Sequence, residues 1–295
     1  MARILLVGTA TLDLVFELDH SPDADEEMRA QSLRICRGGN AANTAVVLSQ
    51  LGHEVEFFGT LADAAETSVI THDFHVHGVA YAACPRLAGR PPTSSIYLSG
   101  ANRSIVHYRD LPELTLEHFQ IIDPAVWDIV HFECRNVAVI AQAIQQFRER
   151  APATRISLEI EKPREGMEVL YSLADMLIYS RNFALHSRFT EPVAFLDWMR
   201  SRAPRAVLTL GWGEAGAYGC APDGAIKHVP AVPPETVVDT LGAGDTFNAG
   251  LLDALVRGDS PEAALWRGVA LAGKKCAIHG FDLGELLQKN DSFVI

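Results

Sequence analysis

The chain has 295 residues, 48% hydrophobic and 21% charged, with 22 Gly and 15 Pro, values that describe a folded globular protein and exclude a disordered or collagen-like one. At about 150 residues per domain this length reads as one large α/β domain or two small ones. Twenty-five bases against 37 acids leave a formal charge of −12, so the surface as a whole does not attract nucleic acid or anionic lipid, and an anionic ligand needs a local device.

The chain opens with a continuous apolar run at residues 4–7, closed by Gly8, the pattern of a strand buried on both faces of a parallel sheet. This opening is too short for a secretory signal and no apolar run reaches the about 20 residues of a membrane span, so the expectation is a cytoplasmic protein. Similar runs recur at 56–58, 129–132, 156–160, 176–179 and 206–210. Between them lie helical patterns at 41–51, closed by Gly52, at 137–148, closed by Pro152, and at 192–199, closed by Pro204. Strand and helix in alternation predict an α/β fold with a mostly parallel sheet.

Two stretches break the rhythm. Residues 12–37 alternate polar and apolar around an acidic turn, and residues 93–108 alternate around Gly100-Ala101-Asn102 as an antiparallel hairpin. Such excursions serve as lids over a ligand or run as passive surface ribbons. Residues 217–229, turning at Pro222-Asp223-Gly224, read as a third hairpin. The five cysteines are odd in number, scattered and never in a C-x-x-C pair, which argues against a disulfide framework and against zinc.

Residues 237–250 carry the strongest chemical signal. Val237-Val238 lead through Asp239-Thr240-Leu241 into Gly242-Ala243-Gly244, after which Phe247, Leu251, Leu252 and Leu255 recur at helical spacing. The small-residue turn therefore opens a helix, where free N–H groups and the helix dipole favour an anion. Asp245, one residue on, stands where a carboxylate would take a proton from an attacking hydroxyl, or where it would merely cap the helix. A second segment, Arg37-Gly38-Gly39-Asn40-Ala41-Ala42-Asn43, allows close backbone approach at its glycines. It sets the amides of Asn40 and Asn43 three residues apart, as suits sugar hydroxyls; helix capping by Asn40 is the alternative.

Together the two segments resemble the signatures of the ribokinase (pfkB) family of carbohydrate kinases, a Gly-Gly-Asn near the amino terminus and an Asp-Thr-x-Gly-Ala-Gly-Asp near the carboxyl terminus. Within the family the chain is most similar to the ketohexokinase branch, through Glu161-Lys162-Pro163-Arg164-Glu165, Ala272-Gly273-Lys274-Lys275-Cys276 and Gly280-Phe281-Asp282. The resemblance spans nearly the whole chain and implies a single ribokinase-like three-layer α/β/α domain over residues 1–295. Its small β-sheet lid, the β-clasp, is built from about 12–37 and 93–110. The implied reaction moves the γ-phosphoryl group of ATP to a hydroxyl of a ketohexose such as fructose, giving the 1-phosphate; another sugar, a sugar derivative or a nucleoside as acceptor is the alternative.

The resemblance also implies roles. Asp245 would be the general base, with the N–H groups of Gly242, Ala243 and Gly244 stabilising the transferring phosphoryl group. Asp13, read as ending the first strand, would hold the sugar with Gly39, Asn40 and Asn43; Arg103 would approach the phosphates, and Asp25 would reach the sugar of a partner subunit in a homodimer formed through the lid. Trp212, Gly213, Glu214, Gly216, Thr240 and Cys276 would lie beside the nucleotide, Trp212 being equally readable as an ordinary core aromatic. Mg2+ is implied by ATP chemistry, although the family's Asn-x-x-Glu motif appears here as Asn182-Phe183-Ala184-Leu185 without its Glu. K+ beside Asp239 is implied by family habit.

Two other classes make different demands. A Rossmann oxidoreductase predicts Gly-x-Gly-x-x-Gly after the first strand, which Gly8-Thr9-Ala10-Thr11-Leu12-Asp13 lacks. A non-catalytic sugar-binding protein predicts loss of the base or of the anion turn, and both are present.

Overall fold

The computed structural model describes residues 1–100 and 102–288. The opening run forms β1 (Arg3–Val7). The chain then leaves for β2 (Thr11–Glu17) and β3 (Ser32–Gly38) before α1 (Asn40–Gln50) and β4 (Glu54–Phe58). A short ladder of β5 (Leu61–Ala62) with β6 (Arg86–Leu87) brackets α2 (Thr67–Val76), and the second excursion follows as β7 (Thr93–Ser99) and β8 (Asn102–Tyr108). Next come β9 (Ile129–Glu133), α3 (Val137–Arg150), β10 (Arg155–Ile160), β11 (Met176–Ser180), α4 (Arg181–His186), α5 (Pro192–Arg200) and β12 (Val207–Gly211). A hairpin of β13 (Ala217–Cys220) and β14 (Lys227–Val229) precedes α6 (Ala243–Arg257), α7 (Pro261–Lys275) and α8 (Gly284–Gln288).

Among the described residues the main sheet has eight strands in the order β14-β13-β12-β11-β10-β9-β1-β4. Pairing is parallel from β12 to β4 and antiparallel only at the β13–β14 edge. The strand runs are continuously apolar because both faces are covered. In β1, Leu5 and Val7 join one cluster with Phe147 of α3 and Phe195 of α5, whereas Ile4 and Leu6 join another with Val46 of α1, Phe74 of α2 and Leu252 of α6. Helices on both faces make this a three-layer α/β/α fold.

The two excursions form one small sheet, as the resemblance implies. They merge into a four-stranded sheet, β3-β2-β7-β8, whose inner pair β2–β7 is parallel and whose outer pairs are antiparallel. Asp13 needs correction accordingly: β1 stops at Val7, and Asp13 stands within β2 on the small sheet. Ala101, part of the expected turn between β7 and β8, lies outside the described residues. Val237 and Val238 form no strand but an exposed connection into α6. Helices α2 and α7 are additional to the patterns read above, although Ser260 and Pro261 mark the start of α7 as a side-chain cap and first helical residue.

The order of strands places the site. From β1 the chain moves to β4 on one side, and its next main-sheet strand, β9, pairs with β1 on the other. Beyond the carboxyl ends of strands at such a reversal the flanking loops part and leave a crevice.

Helix α6, which carries Asp245, lies against α7 almost backbone to backbone. A Cβ at Gly250 would meet Gly268 Cα at 2.7 Å and Arg267 O at 3.0 Å, both backbone atoms with no freedom to yield. Gly250→Ala is therefore expected to cost about 1–3 kcal/mol in urea unfolding. Wild-type stability in that variant would show that the two helices separate freely.

Candidate active site

A cleft of about 1170 Å³ runs between the carboxyl ends of the main strands and the small sheet. One drug-sized ligand usually occupies about 300–1000 Å³, so this cleft has room for two small molecules side by side. Thr9, Glu133, Glu161, Ser180 and Gly211, at or just beyond the ends of β1, β9, β10, β11 and β12, line its floor.

At its centre stands the start of α6. Gly242 caps the helix in the left-handed region (φ 81°), and a side chain there would strike the Phe281 ring. Gly244 has open space where a Cβ would lie, so backbone approach is unobstructed on the cleft side. The Ala243 N–H turns back to Thr240 O at 3.2 Å and is less free than the sequence suggested.

Asp245, in the first turn of α6, is 8% exposed. Its carboxylate does not cap the helix: Oδ2 accepts from Asn43 Nδ2 at 2.5 Å, and Thr44 Oγ1 donates to its backbone oxygen at 3.2 Å. Burial pushes its pKa up to about 7, with Glu161 and Glu133 adding to the rise and the Asn43 amide and Arg37 opposing it. Glu159, at the end of β10, is raised well above the usual carboxylate range by burial first and then by Asp245, Glu133 and Glu161. Asn40 likewise does not cap its helix. Gly39 is the N-cap residue of α1, and Asn40 Nδ2 donates to Glu159 Oε1 at 3.1 Å and Glu161 Oε2 at 3.4 Å.

On one side of this centre the small sheet supplies polar groups. Asp13 is 8% exposed, and Thr11 Oγ1 donates to its Oδ1 at 2.6 Å. Burial raises its pKa, opposed by hydrogen bonds from Thr11 and Ser94 and by the charge of Arg37. A side chain at Gly38 would overlap the Asp13 carboxylate, which explains the glycine there. Gly39, Asn43 and Arg103 line the cleft as well, Arg103 from β8 together with Ile105 and His107.

On the other side, Gly213, Glu214, Gly216, Thr240 and Cys276 line the cleft. Trp212 does not. It is half-buried at the edge of the larger hydrophobic cluster, with the guanidinium of the cleft-lining Arg181 5.5 Å from its ring centre. Asp25 is also apart: it is exposed, in the connection from β2 to β3, and does not line its own chain's cleft.

Asp239 does not fit the monovalent-cation role. Its carboxylate faces Arg34 at 3.3 Å and Lys275 at 3.6 Å, and its carbonyl accepts from Lys275 Nζ at 2.9 Å. Burial would raise the Asp239 pKa, but Lys275, the Leu241 N–H and Arg34 hold it below the usual range. Tethered cations already balance the charge there. Among the described residues no group of three or more His, Cys, Asp or Glu is placed to hold a metal. Glu161 and Asn182 nevertheless face the cleft with the hard oxygen donors that suit magnesium arriving on a nucleotide, while Leu185, in place of the motif's Glu, is 41% exposed.

Glu133, Glu159 and Arg37 were not singled out as site residues in the sequence. The available signal was a carboxylate at the end of a mostly apolar main-sheet strand, as in Ile129–Glu133.

A model of the pfkB family carbohydrate kinases matches residues 1–284. Ketohexokinase of Mus musculus is 37% identical over 291 residues, covering 95% of this chain and 98% of its own. Among solved structures, ribokinase from Thermotoga maritima has a TM-score of 0.80 at 20% identity, covering 98% of this chain and 100% of its own. Arabidopsis thaliana ribokinase, complexed with ribose and ATP, has a TM-score of 0.77 at 21% identity, covering 95% of this chain and 94% of its own. At those identities the structural likeness speaks for the fold. The chain belongs to the pfkB family of carbohydrate kinases, phosphotransferases with an alcohol group as acceptor.

Proposed function

We propose that this single kinase domain transfers the γ-phosphoryl group of ATP to the C1 hydroxyl of a ketohexose such as fructose. The observation that carries the reading is the buried Asp245 carboxylate beside the glycine-lined start of α6, facing a cleft with room for a sugar and a nucleotide. The similarity to mouse ketohexokinase supports the acceptor class, and the ribose and ATP bound by the Arabidopsis ribokinase support a sugar and a nucleotide sharing such a cleft.

In this reading the sugar lies on the small-sheet side, its hydroxyls bonded to Asp13 and Asn40, and the nucleotide lies beside Gly213, Glu214, Gly216 and Cys276. The Asp245 oxygen not held by Asn43 takes the hydroxyl proton as the sugar oxygen bonds to the γ-phosphorus. The bond from that phosphorus to the β-phosphate oxygen breaks, and ADP leaves. The N–H groups of Gly242 and Gly244, the α6 dipole and Arg103 stabilise charge on the phosphoryl oxygens. Glu161 and Asn182, which line the cleft, would offer oxygens to magnesium carried in on the nucleotide, and the ion would supply neutralisation of phosphate charge.

The base works only when ionised, so kcat/KM rises with pH through about 7 and falls about tenfold per unit on the acid side. Asp245→Asn is expected to lower kcat by about 10²–10⁴-fold, read as ADP release across a panel of ketohexoses, aldoses, sugar derivatives and nucleosides. Retained turnover removes Asp245 as base, and a preferred acceptor outside the ketohexoses replaces the substrate assignment. A change of one methylene in a pocket is worth only about 1–3 kcal/mol, which is why the panel and not the motif decides.

The homodimer is proposed through the outer face of the small sheet, where Leu33, Ile35, Val106 and Tyr108 are about half exposed or more. Asp25 would then enter the partner's cleft. Sedimentation should give twice the chain mass, and Asp25→Ala should raise KM for the sugar about tenfold with KM for ATP unchanged, as expected on losing one charged hydrogen bond. A monomer with full activity would remove the role of Asp25.

A further inference from the structure

Asp245 is one end of a chain of contacts that begins on α2. Asp73 Oδ2 accepts from Arg37 Nε at 2.5 Å, Arg37 Nη1 donates to Asn43 Oδ1, and Asn43 Nδ2 donates to Asp245 Oδ2 at 2.5 Å. Arg37 stands near the end of β3 and is 4% exposed. Its guanidinium carbon also lies 5.1 Å from the centre of the Phe281 ring, the ring that bars a side chain from Gly242. A guanidinium this buried is costly unless paired, and its partners here lead to the base and to the anion turn. Phosphoryl transfer as described makes no direct use of it.

We propose that Arg37 is a positioning residue for the reaction: by donating to Asn43 Oδ1 it fixes the direction of that side-chain amide and keeps an N–H, not a carbonyl oxygen, against Asp245. The inference rests on Asp245 being the base. The two ends of an amide have nearly the same shape and opposite hydrogen-bonding character. Turned over, Asn43 would present Oδ1 to the carboxylate, an arrangement satisfied only when Asp245 is protonated and unable to accept a proton. A guanidinium has no acceptor and stays protonated, so it tolerates only the productive direction. The charged groups around Asp245 make this matter: Glu133 at the end of β9 and Glu161 just beyond β10 disfavour its ionised form, and Arg37 opposes them.

The test compares Arg37→Met, Arg37→Lys, Asn43→Ala and the double variant Arg37→Met/Asn43→Ala. Each is measured in steady-state kinetics from about pH 5 to 9 with the best acceptor. Independently of turnover, the Asp245 carboxyl is titrated by carbon-13 NMR in the ligand-free full chain, with Asp245→Asn assigning the signal. Arg37→Met should lower kcat about 10–100-fold at neutral pH with KM for ATP within about twofold. It should move both the acid limb and the carboxyl titration upward by about one pH unit, with Arg37→Lys in between. The double variant should lose little more than Asn43→Ala, because Arg37 acts through Asn43.

An unmoved carboxyl titration in folded Arg37→Met, or losses that multiply in the double variant, would overturn the proposal. If Arg37→Met does not fold, Asp73→Asn carries the test: a smaller upward shift supports it and no shift overturns it. If the wild-type chain turns over no sugar, the kinase reading fails while the carboxyl titration still decides the role of Arg37.

Discussion

A carboxylate serving as a base in a closed site must be buried and charged at once, and burial opposes the charge. Around Asp245 that conflict is sharp, because Glu133 and Glu161 add their own repulsion. The offsetting groups are few: the first turn of α6, one amide N–H from Asn43 and the guanidinium of Arg37 behind it. Burial wins in part, so the carboxyl comes to about 7, where it is basic enough to accept a proton and still ionised in a useful fraction of molecules. Gly242, Phe281 and the close contact of α6 with α7 fix the helix start on which this balance rests.

The small sheet belongs to the same balance. Strand β3 carries Arg34 to Asp239 in the loop before α6 and Arg37 to Asn43 in α1, while β2 carries Asp13 into the cleft. The sheet is thus joined by charge to the corner it overhangs. Its parallel β2–β7 pairing brings two stretches some eighty residues apart into one surface, with Asp13, Ser94, Arg103 and His107 among the residues that line the cleft. An independent pair of hairpins would leave more unpaired strand edge and set each stretch less firmly over the cleft.

Beside the anion turn, Asp239 is held below the usual carboxylate range by two side-chain cations, one of them the fully buried Lys275. The ammonium bonds to the carbonyls of Asp239 and Ile278, which ties the start of the turn to the end of α7. Lys275 was visible in the sequence only as part of a run resembling a family branch; nothing in its spacing marks it as buried.

What the sequence determined by itself is what depends on local order along the chain. The alternation of apolar strand runs and helical patterns, the glycine turn at the start of α6 and the acid one residue beyond it are read from neighbours, because backbone preference and helix-end chemistry act over a few residues. The family signatures at 37–45 and 237–250 belong here too, and with them the kinase class. Only the tertiary structure decided that Asp13 belongs to the small sheet, that Asp239 is already neutralised and that Arg37 reaches Asp245 through Asn43. Each of these depends on which groups from distant strands share one buried volume, and the charge state of a carboxylate there is set by those neighbours in space, which the order of residues does not display.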